Sequence, residues 1–173
     1  YPTPFRSLAN ADVQYLATVY SRRYGDIFVV RAKFLTAPNT REGEPHSTKG
    51  KDVRLYTLCT YNIWAGSAVD CMLDNELRVD DEGYYTLVVS DLEHRPENLE
   101  QQRATWIDWG PYLDGQLSYR HVFRENPIVV EIAHAVLGDS VSDAARPYVP
   151  IAQPCTQKTF ETGGWKAGRA GES

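Results

Sequence analysis

The sequence predicts a mainly β fold: an antiparallel, jelly-roll-like β-sandwich with one or two short C-terminal helices. Three observations carry this expectation. Runs of strand-forming residues recur between turn residues, as in "IFVVRAKFL" at 27–35 and "YYTLVVS" at 84–90. The strand–helix alternation that builds parallel sheets is missing from the first two-thirds of the chain. Tyrosine, at 11 residues, outnumbers phenylalanine at 5, and such amphipathic aromatics suit strands and half-wet surfaces. A length of 173 residues suits one domain with a substantial core.

The elements follow in order. Residues 1–12 form an extended lead holding Pro2 and Pro4. In "VQYLATVYS" (13–21), Val13, Tyr15, Ala17 and Val19 alternate like a strand, while Leu16, Val19 and Tyr20 fit a helix face. The turn "RRYGD" and the β run after it favour the strand. Residues 36–51, polar and holding Pro38, Gly43, Pro45 and Gly50, form a long exposed loop. "DVRLYTLCTY" (52–61) takes "AVDCML" (68–73) as its partner. "ELRV" (76–79) and residues 84–90 flank "DDEG", a hairpin turn in which Gly83 supplies the positive φ. A second charged loop fills 91–103. "ATWIDWG" (104–110) and "QLSYRHVF" (116–123) complete a set of roughly seven or eight strands.

The last third changes character. "NPIVVEIAHAVLG" (126–138) has Pro127 near its start and Gly138 at its end, the usual asymmetry of a helix. A short helix at "SVSDAAR" (140–146), an extended "PYVPIAQP" (147–154) and a helical turn in "TQKTFETGG" (156–164) follow. The domain is thus expected to span 13–162, with 163–173 a flexible tail.

The net charge of −5 argues against generic nucleic-acid binding, which rests on neutralising phosphates with Lys and Arg. No apolar run reaches the roughly 18 residues of a membrane span; the longest, at 126–138, is interrupted by Glu131 and His134. The chain starts at Tyr1 and its only methionine is Met72, so a processed form or a fragment is expected.

Cys59 and Cys71 lack the close pairing that zinc ligands adopt, and His46 and His94 stand apart in loops. A disulfide between antiparallel neighbours fits the spacing better, and a lasting disulfide implies an oxidising compartment. Two ordinary buried thiols remain the alternative. Cys155 is then the odd cysteine, either a free thiol or an intermolecular link.

No catalytic constellation, cofactor motif or metal set is legible. Glu131 and His134 make half of a Glu-x-x-His di-metal motif whose other half is missing. Asp74, Glu76, Asp80, Asp81 and Glu82 cluster without calcium-loop spacing, so a solvated turn is the expected reading. "GGWKAGRAG" is glycine-rich but lacks the following helix of a phosphate loop. Trp106, Trp109 and Tyr112 form a candidate aromatic platform for a sugar or partner, the two tryptophans facing opposite sides of the sheet. Arg31, Lys33, Arg120 and His121 are candidates for an anion-binding pocket, with structural ion pairs as the default role of the arginines.

The ordered strings "YGDIFVVRAKFLTAPNTREGE", "VRLYTLC…VDC", "YYTLVVSDLEHRPEN", "TWIDWG" and "LSYRHVF" resemble a group of uncharacterised secreted bacterial proteins. The usual strings of that group are of the kind "VVRGKAPTFPDT", "YWSLC", "YTIVVSDPADRP", "WLPWG" and "LRNMLP". The group is similar to the β-rich C-terminal domain of a paired domain-of-unknown-function architecture. The likeness covers about residues 13–127 and continues weakly through "YVPIAQPCTQKTFETGGW". It implies export, a β-sandwich and a Cys59–Cys71 bridge, with no activity attached. This chain departs from the pattern at Ala32, at Leu55-Tyr56-Thr57, at Asp108 and in "RHVFREN".

The leading expectation is an exported, non-enzymatic sandwich, located in the periplasm, at the cell surface or outside the cell. It would be an accessory, structural or binding subunit with protein partners, motivated by its long loops and extended ends. The alternatives are a small-molecule binder or enzyme using the basic residues at one end of the sandwich, and a carbohydrate-binding module.

Overall fold

The computed structural model describes residues 6–10, 13–122, 126–135 and 139–169. It is mainly β, with two open sheets and two short helices. β1 (Arg6–Asn10), β2 (Val13–Ser21), β8 (Asp114–Val122), β4 (Leu55–Asn62) and β5 (Ala68–Leu73) lie side by side in that order. The second sheet runs β7 (Ala104–Asp108), β6 (Tyr84–Ser90), β3 (Ile27–Lys33) and β9 (Ile151–Cys155). α1 (Pro127–Ala135) and α2 (Gln157–Gly163) supply the helices.

Period-two side-chain alternation builds the core. Leu16 and Tyr20 of β2, Tyr56 and Leu58 of β4, and Leu117 and Tyr119 of β8 meet Phe28 and Val30 of β3 and Leu87 and Val89 of β6 in one buried cluster. Val129 and Ile132 of α1 join it. The four-stranded sheet is covered on its other face as well. There Ile27, Val29, Val88 and Ala104 pack with Leu99, Cys155 and Phe160, flanked by Trp106 and Trp165. A strand buried on both faces reads as a continuous apolar run, which is why β3 begins "IFVV".

Several expectations are corrected. Pairing is antiparallel except between β6 and β7, which run parallel. The reason is residues 91–103: a parallel return needs a dozen or more residues, and this loop supplies them while laying Leu99 on the outer cluster. The first arm of the expected hairpin at 76–79 shrinks to a single bridge, Val79 to Tyr85. Asp74–Glu76 is instead a 3-10 turn, and the Arg78 N–H donates to the Thr105 hydroxyl. The turn itself is as read, with Gly83 at φ +81° and its N–H donating to the Asp80 carbonyl. At 140–146 there is a turn rather than a helix, followed by the 3-10 turn Arg146–Tyr148, where Pro147 holds the backbone. Part of the N-terminal lead is strand β1, paired to β2 from Arg6↔Ala17 to Asn10↔Val13. Gly164–Arg169 is a 3-10 segment inside the stretch expected to be a flexible tail. The expected positions of Phe123, Gly138 and 170–173 lie outside the described residues.

Candidate functional site

One end of the two sheets opens into a cleft of about 500 Å³. Its walls are mainly apolar and aromatic, with Tyr20, Tyr24, Phe28, Ile63 and Trp64 among them, and Asp114 is the one carboxylate among the described residues. These residues arrive from the end of β2, the β2–β3 turn, the start of β3, the β4–β5 turn and the start of β8.

Tyr20 sits at the end of β2 on the core face. It meets Trp109 edge-on at 4.3 Å between ring centroids and Phe28 at 5.2 Å. Across the ladder its partner is Gly115. A Cβ at Gly115 would stand 2.3 Å from the Tyr20 ring, so only glycine lets the ring lie over the β8 backbone. Burial, helped by the Asp108 charge, pushes the Tyr20 hydroxyl well above the ordinary tyrosine value, so it stays protonated. That hydroxyl is buried and has no hydrogen-bond partner among the described residues.

Trp64 stands in the turn between β4 and β5. The Asn62 side-chain oxygen accepts from the backbone N–H of Trp64 at 2.9 Å and of Ala65 at 3.1 Å. The Gly66 N–H returns to the Asn62 carbonyl at 2.8 Å. These bonds fix the turn, yet the Trp64 side chain is 83% exposed. Below it, Cys59 and Cys71 are directly paired in the β4–β5 register and joined by a disulfide. Tyr24, in the turn between β2 and β3, is 65% exposed.

Asp114 opens β8 opposite Ser21. No hydrogen bond or ion pair holds its carboxylate among the described residues. Neighbouring Arg22 is committed elsewhere. It binds the Asp91 carboxylate, donates to the carbonyls of Tyr112 at 3.0 Å and Gly110 at 2.7 Å, and lies 5.2 Å from the Trp109 ring. Burial alone would raise Asp91, but hydrogen bonds from Arg22 and His94 outweigh it and hold the carboxyl below the usual range.

The four residues proposed for an anion pocket do not converge. Arg31 lies on the outer face of the four-stranded sheet, donating to Asp80 at 2.5 Å and Thr86 at 2.9 Å. The rings of Trp165 and Tyr84 flank it at 4.6 and 4.8 Å. This is the structural ion pair that a buried arginine calls for. Burial pushes Asp80 up, but the Tyr84 N–H and Arg31 outweigh it and hold the carboxyl low. Arg120 is exposed on the outer face of the five-stranded sheet, 6.0 Å from the Tyr15 ring. His121, next in sequence, points the opposite way into the core. Lys33 reaches the rim of the small cavity that His121 shares with Tyr56, Tyr119 and Tyr148. Period two aligns Arg31 with Lys33 on β3, but it says nothing about which sheet receives Arg120. Replacing Arg31 with Ala is expected to cost about 2 kcal/mol through lost charged hydrogen bonds and ring contacts. Urea denaturation checks this as a lower midpoint.

The aromatic trio is likewise dispersed. Trp109 is core, 1% exposed. Trp106 is half-buried on the outer face, its N–H donating to the Ser90 hydroxyl at 2.9 Å with Arg95 over its ring. Tyr112 is half-buried in the loop before β8 and gives its carbonyl to Arg22. Cys155 is a buried free thiol, raised by that burial. Glu131 accepts from the Ser142 N–H, and His134 contacts Asp139 at the surface. Among the described residues, no group of three or more His, Cys, Asp and Glu side chains could hold a metal, and no helix is long and apolar enough to cross a membrane. Tyr20, Tyr24 and Trp64 were not singled out by sequence. The available signal was an aromatic inside "NIWAGS", a turn between two strands that each carry a cysteine.

No protein-family model and no curated protein matches the chain. Among solved structures, the chain is similar to an uncharacterized protein from Burkholderia cenocepacia. The TM-score is 0.50 at 15% identity, over 71% of this chain and 32% of that one. A protein from Vibrio parahaemolyticus gives a TM-score of 0.44 at 14% identity, over 83% of this chain and 31% of that one. The first likeness is one of fold. This chain spans about a third of the length of either protein.

Proposed function

We propose that the chain is an exported, non-enzymatic binding domain, a jelly-roll-like sandwich whose recognition site is the aromatic cleft. The observation that carries this reading is the cleft itself. It has the volume of a small-molecule site and mostly apolar walls, and two large aromatics, Trp64 and Tyr24, stand exposed at it. The disulfide supports an oxidising compartment such as the periplasm or cell exterior. It also anchors the hairpin that presents Trp64. A place as one domain of a longer exported protein, like the C-terminal domain of a paired architecture, agrees with the partial coverage of the Burkholderia chain. The rival basic pocket has less support, because Arg31, Arg120 and His121 occupy two outer faces and the core.

A thermal-shift screen of small aromatic and apolar compounds tests the proposal, with Trp64→Ala as the control. Trp64 is so exposed that its removal is expected to leave stability within about 0.5 kcal/mol. A compound at 100 times its Kd should add about 2.7 kcal/mol to the wild type. That gain should shrink or vanish in Trp64→Ala. Hits that stabilise both proteins equally would place the binding site elsewhere.

A further inference from the structure

We infer that the cleft selects an organic cation: a quaternary or tertiary ammonium group carried on an apolar body. The inference rests on the reading of the cleft as a binding site and adds the charge of its ligand. Four aromatic rings, those of Tyr20, Tyr24, Phe28 and Trp64, contribute to its walls. Aromatic faces carry negative potential and attract a cation that sheds water easily, which a methylated ammonium does. Among the described residues, Asp114 is the only charged residue of the lining, and no Lys, Arg or His is part of it. Its carboxylate is uncommitted among the described residues. Arg22, next to Ser21 in sequence, is tied to Asp91 and two carbonyls. Arg23 in the same turn is exposed and is not part of the lining.

Other ligand classes fit these walls less well. An anion would meet Asp114 with no cationic side chain among the described residues of the lining to receive it. A sugar needs several fixed polar partners, and among the described residues the lining offers Ser21, Asp114, the Trp64 indole N–H and the tyrosine hydroxyls, none of them held in place by a hydrogen bond to another lining side chain. The chain's net charge of −5 also favours cations during approach. A volume of about 500 Å³ leaves room for an apolar body behind the ammonium head.

Isothermal titration with three probes of matched shape tests this. They are para-hydroxyphenyl trimethylammonium, its neutral carbon isostere para-tert-butylphenol, and the anion para-tert-butylbenzoate. The expected result is a preference of about tenfold for the ammonium over the phenol in the wild type, and no detectable benzoate binding. Asp114→Asn should bring the ammonium close to the phenol while leaving phenol affinity unchanged, and Asp114→Glu should restore part of the preference. Thermal melts of both variants show whether the fold is intact. Equal or tighter phenol binding would overturn the cation inference and leave the cleft as an apolar site. A preference that survives Asp114→Asn in a folded protein would overturn the part assigned to Asp114 and leave the selection to the aromatic rings. Failure of all three probes to bind the wild type would count against the cation inference and the binding-site reading together.

Discussion

Replacing Cys59 and Cys71 together with serine is expected to lower stability by about 3 kcal/mol, the chain-entropy value for a loop of this length. The separation of the two cysteines is 12 residues, and they face each other directly in the β4–β5 register. For a chain of this size the loss corresponds to a fall in Tm of roughly 6–12 °C. The effect has a local side as well. β5 is the last strand of its sheet and pairs only with β4. Across the gap to the other sheet, the Asp108 N–H donates to the Asp70 carboxylate, and the Thr60 hydroxyl donates to the Asp108 carbonyl. Without the staple, β5 and the turn bearing Trp64 should exchange backbone hydrogens faster than β8, at the centre of the same sheet. Hydrogen exchange with and without reductant measures this. An unchanged denaturation midpoint in the double serine variant would show that the bridge constrains nothing of consequence.

The second large effect is expected with pH. His121 is buried between the rings of Tyr56 and Tyr119, and its Nδ1 has no hydrogen-bond partner among the described residues. Burial pulls its pKa from 6.5 down to about 4. Tyr56 and Tyr119, pushed well above the ordinary tyrosine value by burial, stay neutral and give no counter-charge. Below pH 6.5 the unfolded chain therefore takes up a proton at this residue that the folded chain refuses. Stability present at pH 7 is lost as pH falls from about 6.5 to about 4, by about 3 kcal/mol in total. The depressed carboxylates Asp80 and Asp91 give up their own contribution lower still, as pH falls through their folded values. His121→Phe keeps a ring between the tyrosines and removes the titrating group. Denaturation midpoints of this variant should be flat between pH 6.5 and 4.5, where the wild type slopes. An equal slope in both proteins would assign the acid sensitivity to other groups.

Much of the fold was legible because β structure announces itself locally. "AVDCML" and "YYTLVVS" fall on β5 and β6 residue for residue, each bounded by turn residues that end the ladder. α1 starts at Pro127, where proline costs the helix nothing. What escaped was pairing set by partners distant in sequence. β1 is strand because β2 offers it an edge, and β7 runs parallel to β6 because the 91–103 loop crosses back. The 76–79 segment has strand composition, but the Asp74 carboxylate captures the Tyr56 N–H and the chain curls into a 3-10 turn. The site was less legible still. Parity along one strand relates Arg31 to Lys33, or separates Arg120 from His121, but it cannot say which sheet each strand joins. Tyr20, Tyr24 and Trp64 lie up to 44 positions apart and meet only because β2, β3 and the β4–β5 turn end at the same pole of the molecule. The disulfide was more legible, since two cysteines on neighbouring antiparallel strands can face each other, and the structure decides between that bridge and two buried thiols.

The most direct test of the binding reading is a two-dimensional NMR titration of the tryptophan indole N–H signals with para-hydroxyphenyl trimethylammonium. The chain carries Trp64, Trp106, Trp109 and Trp165, and each occupies a different surrounding. Binding in the cleft predicts a saturable shift of the Trp64 signal, a smaller one at Trp109 behind Tyr20, and none at Trp106 or Trp165. A spectrum in which Trp64 does not move, or in which Trp106 moves first, would contradict the account.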